Sequence, residues 1–286
     1  MNVLITGSTG FLGSRICQYL KDKVNVLRFC EDVRNPCTMA EGIDVVIHLA
    51  AVYDSMVKTF RESIDVNTVG TYNILQAAIK AKVKRFIYFS TVHVYGLPLV
   101  GTITEDTIPR PVAPYAITHK MAEELAMSAH NRGEIEVVSL RLSNGFGRPA
   151  TMSRNAWLPI INNMVKQAVD GGRITLVPES IAERDFITVT DVCRCVEHFL
   201  NTTHCGVYNL GGENEMRICE AAYLVKDAFP GGKKPIVEQN FTAPSNVTLV
   251  YDISKLKSTG FFLTGNVTEE IENTISYREA NGWGMG

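Results

Sequence analysis

The chain has 286 residues, 45% hydrophobic and 20% charged, with a formal net charge of -2; this excludes a disordered or fibrous protein and supplies enough apolar material for one large domain or two closely joined ones. Lysine and arginine are scattered rather than clustered, which argues against nucleic acid or an anionic membrane as the main partner and leaves a small molecule. No apolar run approaches the roughly 20 residues that span a bilayer, and the N-terminus enters a strand without a charged leader, so a cytoplasmic protein is expected.

The first element is the apolar strand in NVLITGSTGFLGSRI, which runs through Gly7, Gly10 and Gly13 into a helix expected over Phe11 to Lys21. Strand, glycine turn and helix in that order suit a dinucleotide pyrophosphate. Gly7 allows the tight turn, Gly10 lets backbone N–H groups approach, Gly13 lets the helix pack close to the sheet, and the helix N-terminus favours the phosphate charge.

Further apolar runs follow as VNVLRFC, DVVIHLAA, RFIYFST and EVVSLRLS, with helices expected over Ser63 to Lys80 and Pro114 to Asn131. Unbroken apolar strands separated by helices signal a parallel sheet covered on both faces, hence an open α/β sheet. After residue 146 the pattern loosens around a helix expected from Leu158 to Asp170, although DFITVTDV and GVYNLGG again resemble strands. The expected division is a dinucleotide-binding domain over 1–145, with 186–210 contributing to its sheet, and a smaller, interleaved substrate lobe over 146–286. The seven cysteines show no paired metal spacing, so free thiols and no metal site are expected.

The segments DVVIHLAAV, NTVGTYNILQAA, FIYFSTVHVYG, PYAITHKMAEE, LRLSNGFGRP, RDFITVTDV and YNLGG resemble, in order and spacing, the extended, nucleotide-sugar branch of the short-chain dehydrogenase/reductase superfamily. The resemblance implies a doubly wound Rossmann-like fold, NAD(P) as cofactor, a nucleotide-sugar substrate and a homodimer paired through the helices at Ser63 to Lys80 and Pro114 to Asn131. It implies that Tyr115 exchanges a proton with a sugar hydroxyl while the nicotinamide exchanges a hydride with the same carbon, and that Thr91 hydrogen-bonds the reacting oxygen.

Cofactor contacts are implied for Gly7, Thr9, Gly10, Phe11, Leu12 and Gly13, for Arg28, Asp32 and Val33, for Leu49, Ala50 and Ala51, and for Asn67, Tyr115 and His119. Substrate contacts are implied for Tyr53, Thr91, Val92, His93, Asn144 and Arg184. His93 either points into the site or packs beside the strand end, and Arg184 either forks onto a diphosphate or pairs with Asp185. Val92 and His93 stand where 4,6-dehydratases carry Asp-Glu, which disfavours dehydration. Arg28 ends its strand where NAD-specific relatives carry an acid, favouring NADP, with Glu31 close enough to reverse the preference. A further diphosphate arginine of the epimerases has no counterpart near Thr242 in NFTAPSN. These departures leave open a dinucleotide-binding regulatory or scaffold protein.

The family's lysine, four residues after the tyrosine, falls on His119. Lys120 lies about 100° further around the helix and should face elsewhere. A full charge about 5 Å from a phenolate is worth roughly 3 kcal/mol at an effective dielectric near 20. An ordinary histidine is only about a quarter protonated at neutral pH, so His119 is expected to be a weaker, pH-dependent substitute for the lysine.

Overall fold

The computed structural model describes residues 1–232, 234–242 and 248–281; most of NFTAPSN, from Ala243 to Asn246, lies outside the described residues. Two compact units are present, the first from Met1–Leu97, Glu105–Leu142 and Cys195–Asn209, the second from Pro98–Thr104, Ser143–Arg194 and Leu210–Gly286.

In the first unit, β1 (Asn2–Thr6), α1 (Phe11–Leu20), β2 (Asn25–Arg28) and β3 (Val45–His48) lead into α2 (Phe60–Ser63), a π-helical stretch Ile64–Val69 and α3 (Gly70–Lys80). After them come β4 (Arg85–Thr91), α4 (Pro114–Asn131) and the strands Glu136–Leu142 and Gly206–Leu210. The sheet order is Gly206–Leu210, Glu136–Leu142, β4, β3, β1, β2. Neighbours from Glu136–Leu142 through to β2 pair in parallel. The apolar runs demanded this arrangement, since β4 is buried along its whole length and needs cover on both faces. The chain turns outward in both directions from β1, to β2 on one side and β3 on the other. That is the switch point at which open α/β sheets leave a crevice beyond their carboxyl ends.

The helical run expected from Ser63 begins three residues earlier, because the Thr59 side chain accepts the Glu62 N–H at 3.2 Å and caps it. It is not uniformly α-helical, and the π-helical turn holds Asn67. The apolar stripes of α3 and α4 are turned mainly into the core, where Ile74, Leu75, Ala78, Ala122, Ala126 and Ala129 pack with Val46, Phe86 and Tyr88.

Pro114 at the first position of α4 sets its φ for a helix and gives up an N–H that would have no partner there. The helix is then fastened to the sheet by a buried ion pair, Glu123 Oε1 to Arg141 Nη2 at 2.7 Å. Arg141 Nη1 also donates to Tyr95 Oη at 2.7 Å, and Tyr95 donates to Asn209 Oδ1 at 2.6 Å. Burial alone would raise the Glu123 carboxyl, but hydrogen bonds and charge from Arg141, with Lys120, bring it down to about 2.

The second unit holds a sheet in the order Glu215–Arg217, Glu183–Thr188, Asn144–Phe146, with helices Ile160–Gly171, Ile218–Asp227 and Val267–Asn281. DFITVTDV therefore does not enter the six-stranded sheet. Glu183–Thr188 is antiparallel to Glu215–Arg217 and parallel to Asn144–Phe146, which use up both its edges. Of the stretch 186–210, only Gly206–Leu210 is a strand of the larger sheet. Arg278 Nη2 grips Asp170 Oδ2 at 2.6 Å, joining the last helix to Ile160–Gly171.

Candidate active site

The glycine turn is built as a cradle. Gly7 has φ +63°, and a Cβ there would meet Leu49 C at 2.7 Å and Ala50 N at 2.8 Å, so only glycine fits between β1 and the end of β3. A Cβ at Gly13 would lie 2.2 Å from Gly7 O; its close approach is thus to the turn rather than to the sheet. A Cβ at Gly10 would meet only Gly7 O, at 3.2 Å, so Gly10 otherwise faces open space. The N-terminus of α1 has no side-chain cap and no acid in its first turn. Backbone donors around Phe11, Leu12 and Gly13 are thus left for an anion, which is the fit a pyrophosphate needs. Thr9 is exposed beside them.

The Leu49–Ala51 backbone beside this turn is held by Thr6, whose Oγ1 accepts the N–H of Leu49 at 3.1 Å and of Ala50 at 3.2 Å. Asn67 steadies its continuation, accepting the Val52 N–H at 2.8 Å and donating to Val52 O and Thr118 Oγ1. The structure thus gives Asn67 a shaping role through protein contacts. At the end of β2, Arg28 is exposed. Asp32 is held by Arg34, with Nη2 to Oδ2 at 2.5 Å. Those hydrogen bonds lower its carboxyl to about 2. Val33 is buried, its Cγ2 lying where a Cβ on Gly70 would come within 2.7 Å.

Beyond β4, Thr91, Tyr115, His93, Tyr53 and His119 come together. Thr91, buried at the strand end, lies near the Tyr115 phenol and acts to lower its pKa. Burial outweighs this and pushes the phenol well above its ordinary range, with the negative forms of Tyr53 and Asp54 adding to the rise. Tyr115 is nevertheless partly exposed, and Tyr53 stacks on it at 5.1 Å with 19° between the rings. His93 meets its edge at 6.3 Å, so this ring does face the tyrosine. Val92 is buried in the wall behind.

His119 lies 4.3 Å from Tyr115, centroid to centroid. Burial pushes its pKa down to about 4, a nearby Phe89 carbonyl opposing, His93 adding to the drop and Glu123 opposing. Enclosed at 4% exposure, the ring favours the neutral form more strongly than the partial protonation expected of an ordinary histidine. Its Nε2 is buried with no hydrogen-bond partner among the described residues. Lys120 faces elsewhere, paired with Glu123 at 2.7 Å and Glu124 at 2.6 Å.

Two residues of this cluster escaped the sequence reading. Asp54 Oδ1 accepts the Tyr115 N–H at 2.8 Å, doing for α4 what Ala113, with no capping side chain, cannot. The missing cap before Pro114 was the signal. Tyr88 places its hydroxyl 3.0 Å from His119 Nδ1, and only the pairing of β4 with α4 could reveal it.

Asn144 and Arg184 belong to the second unit. Asn144 Nδ2 donates to Asp185 O at 2.9 Å. Arg184 does not pair with Asp185, whose carboxylate instead takes the N–H groups of Gly212 at 2.8 Å and Asn214 at 3.0 Å. Burial raises Asp185 to about 6. The Arg184 guanidinium, destabilised by burial, donates to Glu183 O at 2.8 Å.

The low-salt glycan biosynthesis protein Agl12 of Haloferax volcanii is 26% identical, the alignment covering 97% of this chain and 98% of that protein. The solved structure of MoeE5 in complex with UDP-glucuronic acid and NAD superposes with a TM-score of 0.83 at 23% identity, over 98% of this chain and 99% of that one. RMD from Pseudomonas aeruginosa, complexed with NADPH, gives a TM-score of 0.81 at 23% identity over 98% and 99%. At such identities the structural matches establish the fold alone, a Rossmann-like parallel sheet flanked by helices. Residues 3–211 match the model of the NAD dependent epimerase/dehydratase family. With the glycine cradle at the switch point and the Thr91–Tyr115 pair beyond β4, this chain belongs to that family, within the extended short-chain dehydrogenase/reductases.

Proposed function

We propose that this protein is an NAD(P)-dependent oxidoreductase or epimerase acting on a nucleotide sugar, with Tyr115 as proton donor and acceptor. The observation that carries the reading is the placing of Thr91 beside the Tyr115 phenol, next to a ring nitrogen of His119 that has no hydrogen-bond partner among the described residues. The cradle at Gly7, Gly10 and Gly13 would hold the dinucleotide pyrophosphate, and Leu49–Ala51 and Asn67 would shape the wall next to it. When bound, the nicotinamide would supply the hydride chemistry. Tyr115 rests as the neutral phenol, suited to protonating a carbonyl oxygen as that carbon is reduced, and Thr91 orients the same oxygen. Arg184, short of acceptors in a half-buried place, would meet a substrate diphosphate, and Tyr53 and His93 would border the sugar.

Exposed Arg28, with no acid at that strand end, supports NADP over NAD. Phe60, Val69, Tyr72 and Met121 leave apolar surface on α2, the π-helical stretch, α3 and α4 that supports a homodimer. No helix of the described residues is long and apolar enough to cross a membrane, and the free cysteines fit a reducing, cytoplasmic setting. One observation favours the alternative, a dinucleotide-binding regulatory or scaffold protein: neutral His119 gives Tyr115 no activating charge.

The test is calorimetric titration with NAD and NADP, in both redox states, followed by nucleotide sugars in the presence of the tighter cofactor. Binding followed by turnover that Tyr115→Phe removes is expected. Binding without any turnover across nucleotide sugars would select the scaffold reading, and no binding of either dinucleotide would sink both.

A further inference from the structure

Tyr88 of β4 lies beneath His119 of α4, at 2% and 4% exposure, with ring centroids 6.1 Å apart. Its hydroxyl is 3.0 Å from His119 Nδ1 and 3.2 Å from the carbonyl oxygen of the same residue. A phenol has one proton and a carbonyl can only accept, whereas a neutral imidazole nitrogen does either, according to its tautomer. If the phenol proton went to Nδ1, two oxygens would face each other at 3.2 Å with no proton between them, between residues that are almost fully buried. If the phenol donates to the carbonyl and Nδ1–H donates to the phenol, both contacts become hydrogen bonds.

We infer that Tyr88 fixes His119 as the neutral Nδ1–H tautomer, so that Nε2 is a bare hydrogen-bond acceptor waiting for an O–H donor. Nε2 is buried and has no partner in hydrogen-bond geometry among the described residues, in a ring that packs 4.3 Å from Tyr115 and lies near the Phe89 carbonyl. Leaving such an atom unsatisfied is unfavourable, and a ligand hydroxyl would relieve it. Resting on the cofactor reading above, the donor is a ribose hydroxyl of the dinucleotide. A lysine here would donate to that ribose; this chain accepts from it, and Tyr88 is the positioning residue that reverses the polarity.

The test is long-range proton–nitrogen correlation NMR on cofactor-free protein carrying isotope-labelled histidine, with the His119 signals assigned by their loss in His119→Gln. Expected are a protonated Nδ1 and an Nε2 in the far-downfield position of an unprotonated imidazole nitrogen. A protonated Nε2 in the wild type overturns the inference, and that measurement decides even if Tyr88→Phe does not fold. Where it folds, Tyr88→Phe should move both signals toward the other tautomer; unchanged signals would show that Tyr88 does not set it. Added dinucleotide should shift the Nε2 signal upfield. A dinucleotide that binds without doing so overturns the ribose assignment, whereas absence of binding overturns the cofactor reading and leaves the tautomer result standing.

Discussion

The rings of Tyr115 and His119 sit 4.3 Å apart, one helical turn from each other on α4, and both are held in their neutral forms by burial. A permanent charge at His119 would act on the phenolate through roughly 3 kcal/mol at about 5 Å and an effective dielectric near 20. His119→Lys should therefore raise the hydride-transfer rate at neutral pH and move the basic limb that reports Tyr115 to lower pH, by up to about two units. Stopped-flow measurement of nicotinamide absorbance across pH checks this. Tyr115→Phe should abolish transfer in either background; activity that survives Tyr115→Phe would assign the chemistry elsewhere.

Gly10 and Gly13 should respond differently to a side chain. A Cβ at Gly10 meets only Gly7 O at 3.2 Å, so Gly10→Val should fold and lose dinucleotide binding by filling the cradle. Gly13→Ala places its Cβ 2.2 Å from Gly7 O, which the turn cannot accommodate without moving. It should cost about 1–3 kcal/mol of stability, the range for overpacked sites. Urea unfolding together with calorimetric titration separates the two. Equal loss of stability in both variants would refute the cradle.

Acid should destabilise this protein through its buried histidines. His48 is lowered to about 3 by burial first and by His119 second, and His119 to about 4. Because both folded values lie below the ordinary value near 6.5, the unfolded chain binds protons that the folded chain refuses. Their contribution is therefore present above about pH 6.5 and is lost as pH falls toward those folded values. For His119 alone the loss between pH 7 and pH 5 is about 2 kcal/mol. Asp185, raised to about 6 by burial, acts in the opposite sense between about pH 4 and 6, since its folded form holds a proton that the unfolded form has released. Comparing urea midpoints at pH 7 and pH 5 isolates the histidine: His119→Gln should lose less stability on acidification than the wild type. Equal losses would mean that His119 is not held neutral.

The Glu123–Arg141 pair predicts a large structural effect. Side-chain exposures of 1% and 5% mean that Glu123→Gln would leave a guanidinium charge enclosed without its carboxylate, beside Tyr95 and the Glu105 carbonyl. A loss of about 3 kcal/mol is expected in urea unfolding. The double variant Glu123→Gln with Arg141→Met should recover part of it. A near-neutral Glu123→Gln would show that the pair does not fasten α4 to the sheet.

What the sequence determined by itself was whatever depends on local pattern. The apolar runs specified β1 to β4, Glu136–Leu142 and Gly206–Leu210, because a strand covered on both faces carries mostly apolar residues, as β3 and most of β4 do, and the more exposed β2 still keeps two apolar residues at its centre. Gly7 was legible because its turn needs a positive φ, and α4 because Pro114 and the periodicity after it leave little alternative. Thr91 and Tyr115 were picked out by the resemblance of FIYFSTVHVYG and PYAITHKMAEE to segments of the family. The charge of His119 could not, because desolvation depends on what packs around the ring, and Tyr88, Phe89 and Glu123 reach it from other turns and strands. Nor could the sequence foresee Asp54 capping α4 from 61 residues away, the anchoring of Asp185 to Gly212 and Asn214 instead of Arg184, or the separate sheet formed by Glu183–Thr188. Each of these rests on hydrogen bonds between segments distant in sequence, and which donor meets which acceptor is settled only when the chain has folded.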